Sequence, residues 1–232
     1  MNSKSKCKLK LAWTNIAAAR YACAHWHYSG TIPMPPYNVV GVWERDEFIG
    51  VVIFSRGATP HLGAEYGLDQ TQLCECTRIA LAQHETPVSR IIRIALMLMR
   101  AHCPGIRMVV SFADTLEKHH GGIYQASNWY YVGETAPHQK WLDKNGRMWH
   151  NRQVSRTGIN REFGKYRAGP KQSECTRIQL PGKHKYVLPL DPSLTELVRA
   201  NVQPYPKRAK QASVVTRNRA VGQRQPARSI SA

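Results

Sequence analysis

Asp114 closes an apolar run, Ile106-Arg-Met-Val-Val-Ser-Phe-Ala113, that Pro104-Gly105 bounds in front. The run is too short for a helix and predicts a buried strand. A carboxylate at the carboxyl end of a central strand stands where open α/β sheets present their chemistry, as a general-base candidate. Its other use is to cap the turn that follows. His119-His120 and Gly121-Gly122 come next, then a short helical segment, Ile123 to Asn128, that carries Tyr124. The histidines suit contact with a phosphate or a substrate, or else a solvated turn. Upstream, His27-Tyr28 could orient a base, donate a proton or bind a metal; the alternative is a packed, hydrogen-bonded pair. Ser111, three residues before Asp114, falls on the opposite strand face and reads as structural.

The elements that must position these groups follow from periodicity. Residues 7–13 alternate as a first strand, and Thr14 or Asn15 can cap a helix that frays near His25–Gly30. Proline-rich Thr31–Tyr37 is a loop. Val39–Trp43 and Phe48–Phe54 form a hairpin around Glu44–Glu47. Ser55–Gln70 is a long loop, a class that is usually functional, and Gln72–Ala82 is a strand. From Pro87 a helix presents Val88, Ile91, Ile92, Ala95, Leu98 and Met99 on one face and Arg90, Arg93 and Arg100 on another. Trp129–Glu134 and the Trp141–Gln153 region supply two closing strands with a turn at Asp143–Gly146. This order predicts a mixed, mainly antiparallel sheet with helices on both faces. There is no G-x-G-x-x-G and no P-loop.

Domain organisation reads as a catalytic domain over 1–153, a basic C-terminal extension over 154–208 packing on it, and a disordered basic tail over 209–232. The extension holds one ordered-looking island at 183–200. Charge is the dominant compositional fact. Thirty-three Lys+Arg against fifteen Asp+Glu gives +18, which points to a polyanionic partner. No stretch approaches a membrane span. Six irregularly spaced cysteines without a signal peptide suggest reduced thiols in a cytoplasm. Cys74 and Cys76 share a strand face and, lacking a second pair, read as core residues, so no metal site is assigned.

The element order resembles the acyltransferase fold of the GNAT superfamily. Tyr124-Gln-Ala-Ser-Asn-Trp129-Tyr-Tyr-Val-Gly133 resembles that fold's helix tyrosine followed by a short turn into an aromatic strand. Four motifs in order resemble the Mom family of phage DNA-modification proteins: His27-Tyr28-Ser29, Glu75-Cys-Thr-Arg78, Ser111-Phe-Ala-Asp114 and His120-Gly-Gly-Ile-Tyr-Gln125-Ala126. Tyr205-Pro-Lys207 extends the likeness. The chain departs from the pattern at Cys76, where an aliphatic residue is expected. It also lacks the glycine-rich pyrophosphate loop before the 87–103 helix.

The resemblance implies transfer of a carbamoylmethyl (acetamido) group to adenine N6 in double-stranded DNA, in the bacterial host cytoplasm. That modification would block restriction enzymes that read this amine in the major groove. It implies catalytic roles for His27, Tyr28 and Asp114, with Tyr124 as a general acid. Arg78, Ser89 and Arg90 are the candidates for holding a cofactor. His120, Arg93, Arg100, Lys207 and Arg208 are the candidates for nucleic-acid contact. The donor is left between acetyl-CoA and a glycyl donor such as glycyl-tRNA, which would make tRNA a second partner; an iron requirement stays open. Two other readings compete: a GNAT-like acyltransferase acting on a small molecule or tRNA, and a non-catalytic basic DNA-binding protein.

Overall fold

The computed structural model describes residues 8–57, 59–162 and 164–207; Arg208 and the expected tail lie outside them. Twelve strands and four α-helices are numbered in chain order. The seven-stranded main sheet runs β1-β2-β3-β4-β5-β12-β6. Its strands are β1 (Leu9–Trp13), β2 (Tyr37–Glu44), β3 (Glu47–Ser55), β4 (Leu73–Leu81), β5 (Met108–Ala113), β12 (His184–Pro189) and β6 (Tyr130–Glu134). All neighbouring pairs are antiparallel except β4 and β5, which are parallel. A parallel pair needs a crossover, and α2 (Val88–His102) supplies it. The expected mixed, mainly antiparallel sheet is therefore present, with helices on both faces.

One face packs against α2 through Ile91, Ile92, Ala95, Leu96 and Met99, which meet Val40, Val42, Phe54, Cys74, Cys76 and Val109. The predicted periodicity produced this face, while Arg90, Arg93 and Arg100 lie exposed on the other side of the helix. On the opposite face of the sheet, α1 (Ile16–Trp26) buries Ala19, Ala22 and Cys23 against Val39, Val51, Ile53 and Ala80. Asn15 caps α1, its Oδ1 accepting from the Ala18 amide at 3.0 Å. Tyr66 and Leu68, from the long loop after β3, join Val187 and the α4 (Thr195–Arg199) residue Val198 on that same side. The long loop is thus a cover for the sheet, and its length serves burial.

The expected division at residue 153 does not hold. β12, from the segment read as an extension, sits between β5 and β6 and pairs with both. Val187 and Tyr186 in it are fully buried, so it belongs to the core. The Trp141–Gln153 region closes a different sheet. β7 (His138–Asp143) pairs with β8 (Met148–Trp149) and β11 (Cys175–Leu180) in a three-stranded sheet of its own. β9 (Ile159–Glu162) and β10 (Lys165–Ala168) form a further hairpin. Among the described residues no disulfide joins Cys23, Cys74, Cys76, Cys103 or Cys175, and no helix is long and apolar enough to cross a membrane.

Candidate active site

The site arises where β4 and β5 part. Their pairing lasts only from Leu73↔Met108 to Glu75↔Val110. Just beyond, the β3–β4 register skips Thr77, since Ile53 pairs with Arg78 and Phe54 with Cys76. An extra residue of this kind bends its strand, so β4 turns away from β5. Ser111 stitches the start of the gap by donating to the Cys76 carbonyl at 2.7 Å, and its Oγ lies 2.7 Å from the Tyr124 hydroxyl. Ser111 has one proton, and the carbonyl can only accept. Tyr124 therefore donates to Ser111.

A cavity of about 770 Å³ fills the gap. Trp26, His27 and Tyr28 line it from the end of α1, Thr77 and Ile79 from β4, and His119 to Tyr124 from the loop into α3 (Gly122–Gln125). The glycine turn is sterically required: Gly121 has φ +78°, and a Cβ there would meet the Tyr186 ring at 2.2 Å. The Tyr186 hydroxyl donates to the His120 carbonyl at 2.6 Å, and Gln125 Nε2 donates to the same carbonyl at 3.0 Å. Gln125 also reaches the Pro206 carbonyl at 3.3 Å, and Tyr205 donates to the Trp129 carbonyl at 2.7 Å. These bonds tie the Tyr205-Pro-Lys207 segment to α3 and leave Lys207 exposed beside it.

The electrostatics set distinct roles. The His27 Nδ1 accepts from the Ser29 amide at 3.1 Å, which leaves the proton on Nε2. Burial, then the nearby Arg78 and His119, lower its pKa to about 4, so the ring is neutral near pH 7. The Tyr28 ring stacks on His27 at 4.4 Å and meets His119 edge-on at 5.5 Å. Burial first, then the charge and hydrogen-bonding demand of Asp114, push the Tyr28 hydroxyl up. Asp114 directly follows β5; it is not among the residues that line the cavity and meets it through Tyr28. One oxygen accepts from the Leu116 amide at 3.1 Å and the other pairs with Lys183 at 2.7 Å. Desolvation raises its pKa, but the Lys183 ammonium and the Leu116 amide outweigh it and hold the carboxyl below its ordinary value.

His27, Tyr28, His120 and Tyr124 thus line one cavity, with Asp114 beside Tyr28. Arg78 is turned toward α1: its Nε donates to the Thr31 carbonyl at 3.1 Å and Nη1 to the Thr77 carbonyl at 2.7 Å, so it braces the loop after Tyr28. Ser89, Arg90, Arg93 and Arg100 line a separate cavity of about 640 Å³ between α2 and the end of α3. Tyr124 is buried with its pKa raised by desolvation, and its proton points to Ser111, so it presents a hydroxyl oxygen as acceptor rather than an acid. Nothing in the residue pattern points to Lys183, which lies distant in the chain and reaches Asp114 only because β12 follows it into the sheet.

Two implied groups can be tested against these residues. A CoA pyrophosphate needs amides before α2, yet Glu85 N and Thr86 N donate to the buried Glu44 carboxylate at 2.9 and 2.8 Å. An internal anion takes the place where that loop would cradle a phosphate. For iron, no three His, Cys, Asp or Glu side chains among the described residues are placed to hold a metal ion.

The parallel β4/β5 pair, its crossover helix and the cavity in the split make up a GNAT-like fold. The chain belongs to the Mom protein family, whose sequence profile matches residues 8–207. It is 26% identical over 190 residues to the methylcarbamoylase Mom of Escherichia phage Mu, covering 78% of this chain and 76% of that one. Among solved structures it is similar to a Bacillus subtilis acetyltransferase in complex with CoA, with 14% identity, 80% of this chain and 99% of that chain covered, and a TM-score of 0.42. The spermidine/spermine N-acetyltransferase SpeG from Vibrio cholerae is also similar, with 9% identity, 82% and 96% covered, and a TM-score of 0.43.

Proposed function

We propose that this protein is a DNA-modification transferase that adds a carbamoylmethyl group to adenine N6 in phage DNA and so protects it from host restriction. Family membership supports the reading, and the cavity in the β4/β5 split carries it. Its volume lies within the roughly 300–1,000 Å³ typical of small-ligand sites and admits an everted purine with a small acyl group. Trp26 and Tyr28 on its wall offer rings for stacking.

Adenine N6 is a weak nucleophile because its lone pair is shared with the ring. As a bond forms to the incoming carbon, N6 must shed a proton. The Asp114 carboxylate accepts it, relayed by the Tyr28 hydroxyl with which it interacts. Neutral His27 presents Nε2–H as a hydrogen-bond donor for the oxygen that gains charge. The Tyr124 oxygen accepts from the second N6–H. Arg78 keeps the His27–Thr31 loop in place.

The donor follows from atom balance. An acetyl group lacks the amide nitrogen of the product, whereas a glycyl group has the same atoms as carbamoylmethyl in a different order. N6 attacks the glycyl ester carbonyl, the ester C–O bond breaks and the ribose hydroxyl leaves with a proton; the resulting N-glycyl adenine then rearranges to its carbamoylmethyl isomer. With Glu44 on the amides before α2, the reading favours a glycyl ester such as glycyl-tRNA, whose phosphates would meet Ser89, Arg90, Arg93 and Arg100. The test is expression beside a plasmid, with glycine or acetate isotope labelling and mass analysis of the digested nucleosides. Label from glycine in modified adenine, with resistance to restriction, is expected; unmodified adenine overturns the proposal.

A further inference from the structure

The three-stranded β7-β8-β11 sheet supplies no lining residue of the cavity and contributes little to the core, yet it is built around a row of arginines and indoles. Trp149 pairs across strands with Trp141, and Trp141 with Arg177, so the three share one face. The Arg147 guanidinium lies 4.0 Å over the Trp149 ring, and that of Arg177 lies 5.5 Å from Trp141. Asp143, the acid within the hairpin, is turned inward: its carboxylate accepts from the Asn145 and Arg147 amides at 2.9 Å and from Trp149 Nε1 at 2.8 Å. Between His138 and Leu180 the chain carries ten Lys and Arg against three Asp and Glu. Lys140, one residue before Trp141 and on the other face, is near enough to Asp114 to help lower its pKa. Thr115, next to Asp114, donates to the Gly182 carbonyl just beyond β11 at 2.6 Å, so an end of the sheet stands beside the active site, with the indole row on the face opposite Lys140.

We infer that this row is the surface on which the duplex DNA substrate is laid. The inference rests on the proposed function and names the face that grips the substrate. Its chemistry selects a duplex backbone over unpaired strands. Single-stranded nucleic acids are bound through bases stacking on open aromatic rings. Here the indole faces carry the protein's own guanidinia, so the row offers N–H donors stacked on aromatic supports, which suit phosphates. The cationic excess of the segment matches a polyanion, and none of the residues expected to contact nucleic acid lies on this sheet.

The test is anisotropy titration of the full-length chain with a labelled 30-bp duplex and, separately, a single-stranded RNA, over a range of salt. The R147E/R177E variant should weaken duplex binding about tenfold or more and lower the salt slope by about two, since each phosphate contact contributes roughly 0.9. R147Q/R177Q, which keeps the bulk, should lose the same slope with an unchanged melting transition and guards against misfolding. An unchanged duplex affinity and slope in the glutamine variant overturns the inference, as does a loss confined to the RNA. If duplex binding falls as expected while the unmutated chain leaves adenine unmodified, the surface stands and the proposed reaction falls.

Discussion

Asp114 divides its oxygens between a turn amide and the Lys183 ammonium, and the two jobs separate under substitution. In Asp114→Asn the amide oxygen still accepts from Leu116, so the turn survives, while the charge and the proton acceptor are gone. The expected outcome is a loss of modified adenine of about 10²–10⁴-fold with a melting temperature near that of the parent; nucleoside mass analysis and circular dichroism read the two. The turn cap foreseen from sequence is present in the Leu116 bond, while the general-base role belongs to the proposed reaction. His27 makes a second prediction. Its pKa falls from 6.5 to about 4 on folding, so between those values the unfolded chain binds a proton that the folded chain refuses. Stability contributed by the neutral ring is full above that window and is lost as pH falls through it. His27→Gln has no such proton, so its melting temperature should drop less between pH 6.5 and 4 than that of the parent.

At the scale of elements, the decisive strand is the one farthest along the chain. β12 lies between β5 and β6, and the segment leading into it brings Lys183 to Asp114. A chain ending at Gly182 should leave both strands with unpaired edges and lose its cooperative thermal transition, whereas one ending at Lys207 should keep it; circular dichroism melting separates them. Local signals made the early elements legible. Asn15 caps α1, Arg45 and Asp46 turn the β2–β3 hairpin with φ of 54° and 67°, and Ile91, Ile92, Ala95 and Met99 of α2 are buried. The same signals could not place β12. Its residues read as an isolated ordered island, because nothing in their spacing says which strand edges they will fill. The β4/β5 split was also hidden: a bulge at Thr77 is a matter of register with β3, not of residue type. The motif histidines and tyrosines were visible as a group, but that Tyr124 donates to Ser111 emerges only once the gap exists.

At the scale of the molecule, the excess of +18 includes two basic features that the fold creates and the segment beyond Lys207. The α2 cavity and the β7-β8-β11 row are fixed by the fold; residues 209–232 carry Lys210, Arg217, Arg219, Arg224 and Arg228 with no acid among them. Under the proposed function those five cations add to affinity for DNA. Deleting 209–232 should therefore lower the salt slope of duplex binding by up to about four. Once DNA is saturating, the yield of modified adenine should be unchanged, because every cavity-lining residue among the described ones is kept. Titration and nucleoside analysis of the same preparation measure both. A deletion that abolishes modification even at saturating DNA would move that segment from tether to active site. One that leaves the slope untouched would confine duplex binding to the folded part of the chain.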